Sequence, residues 1–256
     1  MSTASDRPAH GPKPMHPSPP TAAAASGLLP GLVRLRSALI RAGVVVLLFS
    51  IAGYFLAEPV LRFLCRHTGV RLAAFGLPEV LFSLLTLALA FGVFAGFPYL
   101  LWAVLSGLQS AFPSFSGPQM RRYWAASVVL FLAGFFFCLR VTLPYGVAFL
   151  LEFEGPSVEA LISVRKFVGF CLLFLFAFGI LFELPLAMIL LGRLGVLRRE
   201  RLARNRRYAL LGITIVSAVL TPTPDAFNLG LMAVPLYLLF EVGLLGMRLQ
   251  RSPGAR

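Results

Sequence analysis

Charge is what this chain has least of. Only 13% of its 256 residues are Asp, Glu, Lys or Arg, about half the ~25% of a soluble domain. Acids are scarcer still, 10 against 23 basic residues. Three cysteines, Cys65, Cys138 and Cys171, give no CxxC spacing and no even framework for pairing. Cys138 and Cys171 lie in apolar runs and read as small core hydrophobes. Three scattered histidines, His10 and His16 near the N-terminus and His67 in a loop, leave no basis for a metal site. No Ser/His/Asp set, P-loop or dinucleotide fingerprint is present. An enzyme is therefore not expected, and neither is a cofactor.

What the chain has in abundance is apolar sequence. It is 58% hydrophobic, with a mean hydropathy of +0.85, and its apolar residues come in long uncharged runs. Runs of roughly 18 or more read as transmembrane helices, so the fold class is an all-α membrane protein. The net charge of +13 would suggest nucleic acid for a soluble protein. Here the rule that cytoplasmic loops carry the basic residues explains it better, and no nucleic-acid partner is expected.

Residues 1–27, rich in Pro, Ala and Ser, read as a disordered tail. They do not read as a signal peptide, because the small-residue run Ala22–Ala25 precedes the first apolar run. An amphipathic arm with Arg34, Arg36 and Arg41 follows. Six spans are expected: about 38–57, one long span over 80–110 kinked at Pro98, 123–139 with a possible extension past Arg140, 167–192, 208–220 and 227–246. Pro98 cannot donate its backbone amide, which motivates the kink. The segments 58–79 and 143–160 read as loops, and 248–256 as a short basic tail. The six-span body takes in 28–247.

An even number of spans puts both termini on one side. With the N-terminus inside, 17 of the 23 basic residues face the cytoplasm. Seven of those are Arg193, Arg198, Arg199, Arg201, Arg204, Arg206 and Arg207 in one loop. Arg62, Arg66, Arg71, Arg140, Arg165 and Lys166 fall outside, with six of the ten acids. The bias argues for an N-in, C-in protein.

The fifth and sixth spans read as short. At 1.5 Å per residue, about 15 residues cover roughly 22 Å of a ~30 Å hydrocarbon core. Thr221, Pro222, Pro224, Asp225 and Asn228 form the turn between them. The prolines stop the fifth helix, and Asp225 or Asn228 is placed to cap the sixth; a plain hairpin turn accounts for Asp225 equally well. Glu183, in "LFELPLAM", has apolar neighbours for more than a dozen residues before it and for nine after it, up to Arg193. A carboxylate at that depth costs a few kcal/mol unless paired, hydrated or protonated. Pro185 frees a backbone carbonyl beside it. A carboxylate bonded to another span is one reading of Glu183; a polar site facing a cavity or a partner helix is the favoured one. Glu241 reads either as part of the partner contact or as an interfacial anchor near the exit of the last span.

The stretches "FAFGILFELPLAMILL" (176–191), "NRRYALLG" (205–212), "SAVLTPTPDAFNLGLMAVPLYLLFEVG" (217–243) and, more loosely, "LPYGVAFLLEF" (143–153) together resemble the TatC family. TatC is the multispanning core of the twin-arginine, Sec-independent protein translocase. The resemblance implies a concave wall of six tilted helices in the bacterial cytoplasmic (inner) membrane, with Glu183 facing the concavity. It implies single-span partners of the TatA and TatB type docked at the last two spans, homo- or hetero-oligomers with TatC, and folded cargo bearing twin-arginine signal peptides. Proton motive force would drive transport.

Two departures bear on the signal-peptide site. The family's arm reads His-Leu-x-Glu-Leu-Arg; the aligned residues here are Gly31, Leu32, Val33, Arg34, Leu35 and Arg36. The family's second glutamate precedes paired basic residues; here Met120 precedes Arg121 and Arg122. An arginine pair binds best to carboxylates, ideally bidentate, and Arg34 would repel it. The expectation is a divergent member with weakened or altered signal recognition. Two other functions remain open at this level: an ion-coupled small transporter or channel using Glu183, and a non-transporting scaffold for single-span membrane partners.

Overall fold

The computed structural model describes residues 20–76, 78–111, 117–152, 161–220 and 226–249, and their side chains except at 20–35, 38, 39, 107–111, 150, 152, 227 and 228. The described chain is almost entirely helical. In order it forms α1 (Pro20–Thr68), β1 (Leu72–Ala73), α2 (Glu79–Ala111), α3 (Gly117–Phe137), a π-helical turn (Cys138–Thr142), α4 (Leu143–Glu152), β2 (Ile162–Ser163), α5 (Val164–Phe182), α6 (Leu184–Arg193), α7 (Arg199–Arg204), α8 (Arg206–Leu220) and α9 (Ala226–Leu249). Five stretches are long and apolar enough to cross a membrane: Ile40–Thr68, Glu79–Ser106, Gly117–Phe149, Val164–Arg193 and Leu229–Leu249. Helix α8, at 15 residues, is too short to be counted with them.

Several boundaries differ from the sequence expectation. Helix α1 starts at Pro20, inside the segment read as tail, and does not end near Ala57. It continues to Thr68 because Glu58 and Arg62 pair one turn apart at 3.3 Å on its exposed side, while Ala57 and Leu64 bury on the other. It stops at Gly69, whose φ of 72° suits a helix C-terminus and is unfavourable for any residue with a Cβ. The third span runs past Arg140, and much of the segment read as a loop after it is α4. The chain absorbs Pro144 by widening one turn, so that the Leu143 amide bonds to the Cys138 carbonyl, the i→i+5 pattern of a π-bulge. Helix α9 has 24 residues, so the expected sixth span is not short. A basic loop was expected between the fourth and fifth spans; it contains the six-residue helix α7.

Small residues set the packing. Membrane helices gain by close backbone approach at Gly, Ala and Ser. Helix α1 lies along α2, where a Cβ on Gly92 would overlap Ser50 Oγ and one on Gly53 would stand 2.9 Å from the Phe91 side chain. Helix α5 is the hub of the main core. Its buried residues Val164, Phe167, Val168, Cys171, Phe174, Leu175 and Phe178 recur every three or four positions, the stripe of a helix with one packed face. They meet Cys138, Leu139, Leu143 and Val147 from the third span. Cys138 and Cys171 are fully buried and free, as small core residues. A second cluster joins Met188 of α6 to Phe240, Leu244 and Met247 of α9.

At one end of the bundle the two short strands pair in parallel, Leu72 with Ile162 and Ala73 with Ser163. Glu79 ties this end together. Its carboxylate accepts from the Ser163 hydroxyl, from the Phe75 amide at 2.7 Å and from the Arg165 amide at 3.2 Å. Ser163 in turn caps α5, accepting from the Lys166 amide at 3.3 Å.

Candidate functional site

Glu183 occupies the break between α5 and α6. Pro185 has no amide to give to the Leu181 carbonyl, so the rod tightens there: the Glu183 amide donates to the Ile180 carbonyl at 3.0 Å, and the Ala187 amide resumes the helix by donating to the Glu183 carbonyl at 2.9 Å. Along the axis Glu183 lies roughly 15 Å from Arg193 and 28 Å from Val164, well within an apolar span. Its side chain is half-buried.

Helix α3 supplies its partner. Ser127, Phe131 and Gly134 fall at i, i+4 and i+7, one face of a helix, and meet Glu183, Gly179 and Phe178 of the antiparallel α5. A Cβ on Gly134 would overlap the Phe178 carbonyl oxygen, and one on Gly179 would stand 2.6 Å from the Phe131 ring. These two close approaches draw the helices together until the buried Ser127 hydroxyl donates to Glu183 Oε2 at 2.5 Å. The other oxygen, Oε1, is buried and has no hydrogen-bond partner among the described residues. The site thus holds one unmet acceptor inside the membrane. Pro185 faces the other way: it is buried, and its Cα would stand 3.2 Å from a Cβ on Gly243 of α9.

Glu241 on α9 is placed differently. Tyr237, one turn earlier, donates to its Oε1 at 2.9 Å. Arg206, at the start of α8, pairs with its Oε2 at 3.2 Å. Both oxygens are satisfied, which is why α9 continues eight residues beyond Glu241 instead of ending there. The partners of Glu241 are thus a protein cation and a phenol of the same chain.

The residues expected near the signal peptide separate. Arg36, Arg121 and Arg122 are exposed. Met120 turns inward, 3% exposed, against Leu105, Leu101, Trp124 and Leu190. The helical period explains this, since Met120, Trp124 and Ser127 share the packed face of α3 and Arg121 and Arg122 do not. The side chain of Arg34 lies outside the described residues, as do Thr221, Pro222, Pro224 and Asp225 entirely; Asn228 lies in α9 with its side chain undescribed. Sequence reasoning missed Gln119, which accepts from Arg193 Nη2 at 2.6 Å, and Tyr123, whose hydroxyl accepts from Arg193 Nη1 at 3.2 Å. These contacts tie the end of α6 to the start of α3. It also missed Ser127, although its i, i+4, i+7 spacing to Phe131 and Gly134 was a usable signal.

The fold and this site define a multi-pass helical membrane protein with a partly satisfied carboxylate deep in one span. Comparison with known proteins narrows the class. A family model, Sec-independent protein translocase protein (TatC), matches residues 31–235. A TatC from Carboxydothermus hydrogenoformans is 31% identical over 216 residues, 83% of this chain and 89% of that protein. One from Deinococcus radiodurans is 38% identical over 175 residues, 66% of this chain and 63% of that protein. A crystal structure of the twin-arginine translocase receptor TatC superposes with a TM-score of 0.73 at 29% identity, covering 86% of this chain and 98% of the other. The chain belongs to the TatC family, a family of translocase components and not of enzymes.

Proposed function

We propose that this chain is the core subunit of a twin-arginine-type translocase that moves folded proteins across the bacterial cytoplasmic membrane. Helix α8 is then a short sixth span beside the five longer ones, and both termini lie in the cytoplasm, as the basic bias argues. The six-span body covers 28–247, with α1 reaching back into the tail and 248–256 forming the basic end. TatA- and TatB-type single-span partners dock beside α8, α9 and the residues 221–225 that join them, and proton motive force supplies the energy.

The observation that carries this reading is Glu183. A half-buried carboxylate with one oxygen on Ser127 and the other without a partner among the described residues is costly inside a membrane, and a translocating wall gives it something to do: it holds a polar point where cargo or a partner helix passes. Signal recognition is altered, because Arg34 and Met120 stand where the family has glutamates, Met120 is turned inward, and the exposed Arg36, Arg121 and Arg122 offer an arginine pair no carboxylate.

The test is export in cells lacking their own core subunit, with this chain's single-span partners co-expressed. The expected result is export of a folded reporter carrying a native leader, and weak crosslinking of a standard twin-arginine precursor to probes at Arg36 and Arg121. No export of any folded reporter contradicts the assignment. Strong crosslinks that vanish when the arginine pair becomes a lysine pair contradict the altered recognition.

A further inference from the structure

Between α1, α2, α3 and α5 the protein holds a groove of about 420 Å³. Its walls are apolar throughout, among them Ala57, Leu64, Ala90, Phe94, Leu139 and Leu175. Phe63 and Leu132 stand on its rim, 50% and 46% exposed, so it opens toward the surroundings of the spans. No side chain on its walls can hold water by hydrogen bonds, so the fitting occupant in a membrane is hydrocarbon.

Size decides which hydrocarbon. One turn of a helix 10 Å across and 5.4 Å long already fills roughly 400 Å³, so a partner helix cannot enter beyond its side chains. A methylene takes about the room of a water molecule, whose share of liquid volume is ~30 Å³. The groove therefore fits a single chain of roughly fourteen carbons, the length of a lipid tail.

The mouth of the groove selects the headgroup. His67 Nε2 and the Leu139 carbonyl oxygen share a hydrogen bond of 2.8 Å. This pins the last turn of α1 to the π-turn of the third span and brings their neighbours Arg66 and Arg140 to the same end. Both arginines are exposed, and neither has an ion-pair partner among the described residues, whereas Arg62 is taken by Glu58. Long basic side chains at a span's end extend to the headgroup layer and attract anionic lipid. We infer that this groove is a binding site for one anionic phospholipid, its tail between α1, α2, α3 and α5 and its phosphate between Arg66 and Arg140. On the N-in topology that lipid belongs to the outer leaflet.

The test uses the full-length protein in detergent, with phosphatidylglycerol or phosphatidylcholine of identical chains added, read by native mass spectrometry. One phosphatidylglycerol should stay bound under activation that strips the rest, with about tenfold higher occupancy than phosphatidylcholine. The R66Q/R140Q variant should lose that preference while keeping its unfolding temperature. Ala90→Phe, which fills the groove, should lose both lipids; if it does not fold, the charge variant decides alone. An unchanged preference in R66Q/R140Q, full lipid retention in a folded Ala90→Phe, or no retained lipid at all overturns the proposal. So does a photoprobe at Leu132 that, in native membranes, captures a protein helix in place of lipid.

Discussion

Glu183, at the break between α5 and α6, and Glu241, on α9, are both carboxylates on membrane helices, in different surroundings. Glu241 has a phenol on one oxygen and a guanidinium on the other. Its charge is matched within the chain, and the pair fastens the start of α8 to α9. Glu183 has one serine hydroxyl on Oε2 and nothing on Oε1 among the described residues. Yet the chain builds carefully around it: two glycines bring α3 against α5, and a proline just beyond breaks the helix into a tighter turn at Glu183. A carboxylate fully paired inside the chain is explained by the fold. One held in place and left half-satisfied needs a partner or a role outside the fold.

The contrast can be broken most forcefully at Gly134. Leu at this position drives a side chain into the Phe178 carbonyl and the Phe182 ring, and the expected cost is about 3 kcal/mol. Thermal unfolding in detergent measures it, and Ser127 should no longer reach Glu183. Ser127→Ala is milder, removing the one hydrogen bond that Glu183 accepts. A buried acceptor left unmet costs about 1–2 kcal/mol, visible as a fall in unfolding temperature that the double variant with Glu183→Met, which removes the acceptor as well, should mostly recover. Smallest is Arg206→Gln. The Arg206–Glu241 side chains are 53% and 31% exposed, so water screens the pair and the loss should be about 0.5 kcal/mol. A larger loss would mean that Glu241 is less well hydrated than its exposure implies.

Much of this was legible in the sequence. Length and apolarity gave the membrane helices, and Glu183 and Pro185 stood out because a charge and an imino acid are rare in such a run. The errors arise where a residue that looks like a boundary is accommodated by a partner or a turn. Glu58 and Pro59 look like a span's end, but Glu58 is neutralised by Arg62 and the helix continues. Glu241 looks like an exit residue, but Arg206, 35 positions earlier, lets α9 extend to Leu249. Pro144 looks like a helix stop, but a π-turn accommodates it. Met120 aligns with the family's second glutamate beside two arginines, and the helical period turns its side chain inward, away from them. Ser127 shares a helix face with Phe131 and Gly134, a signal the sequence does carry, but the antiparallel approach of α3 and α5 is what makes it the partner of Glu183.

The most direct measurement compares Glu183→Gln with Glu241→Gln in the same cells, each scored for export of a folded reporter and, after purification, for unfolding temperature. The account predicts that Glu183→Gln loses export by roughly tenfold or more with its unfolding temperature within about 2 °C of the parent. It predicts that Glu241→Gln loses about 0.5 kcal/mol of stability and keeps most of its export. Wild-type export by Glu183→Gln, or an equal loss by both variants, would contradict the assignment of Glu183 as the functional carboxylate.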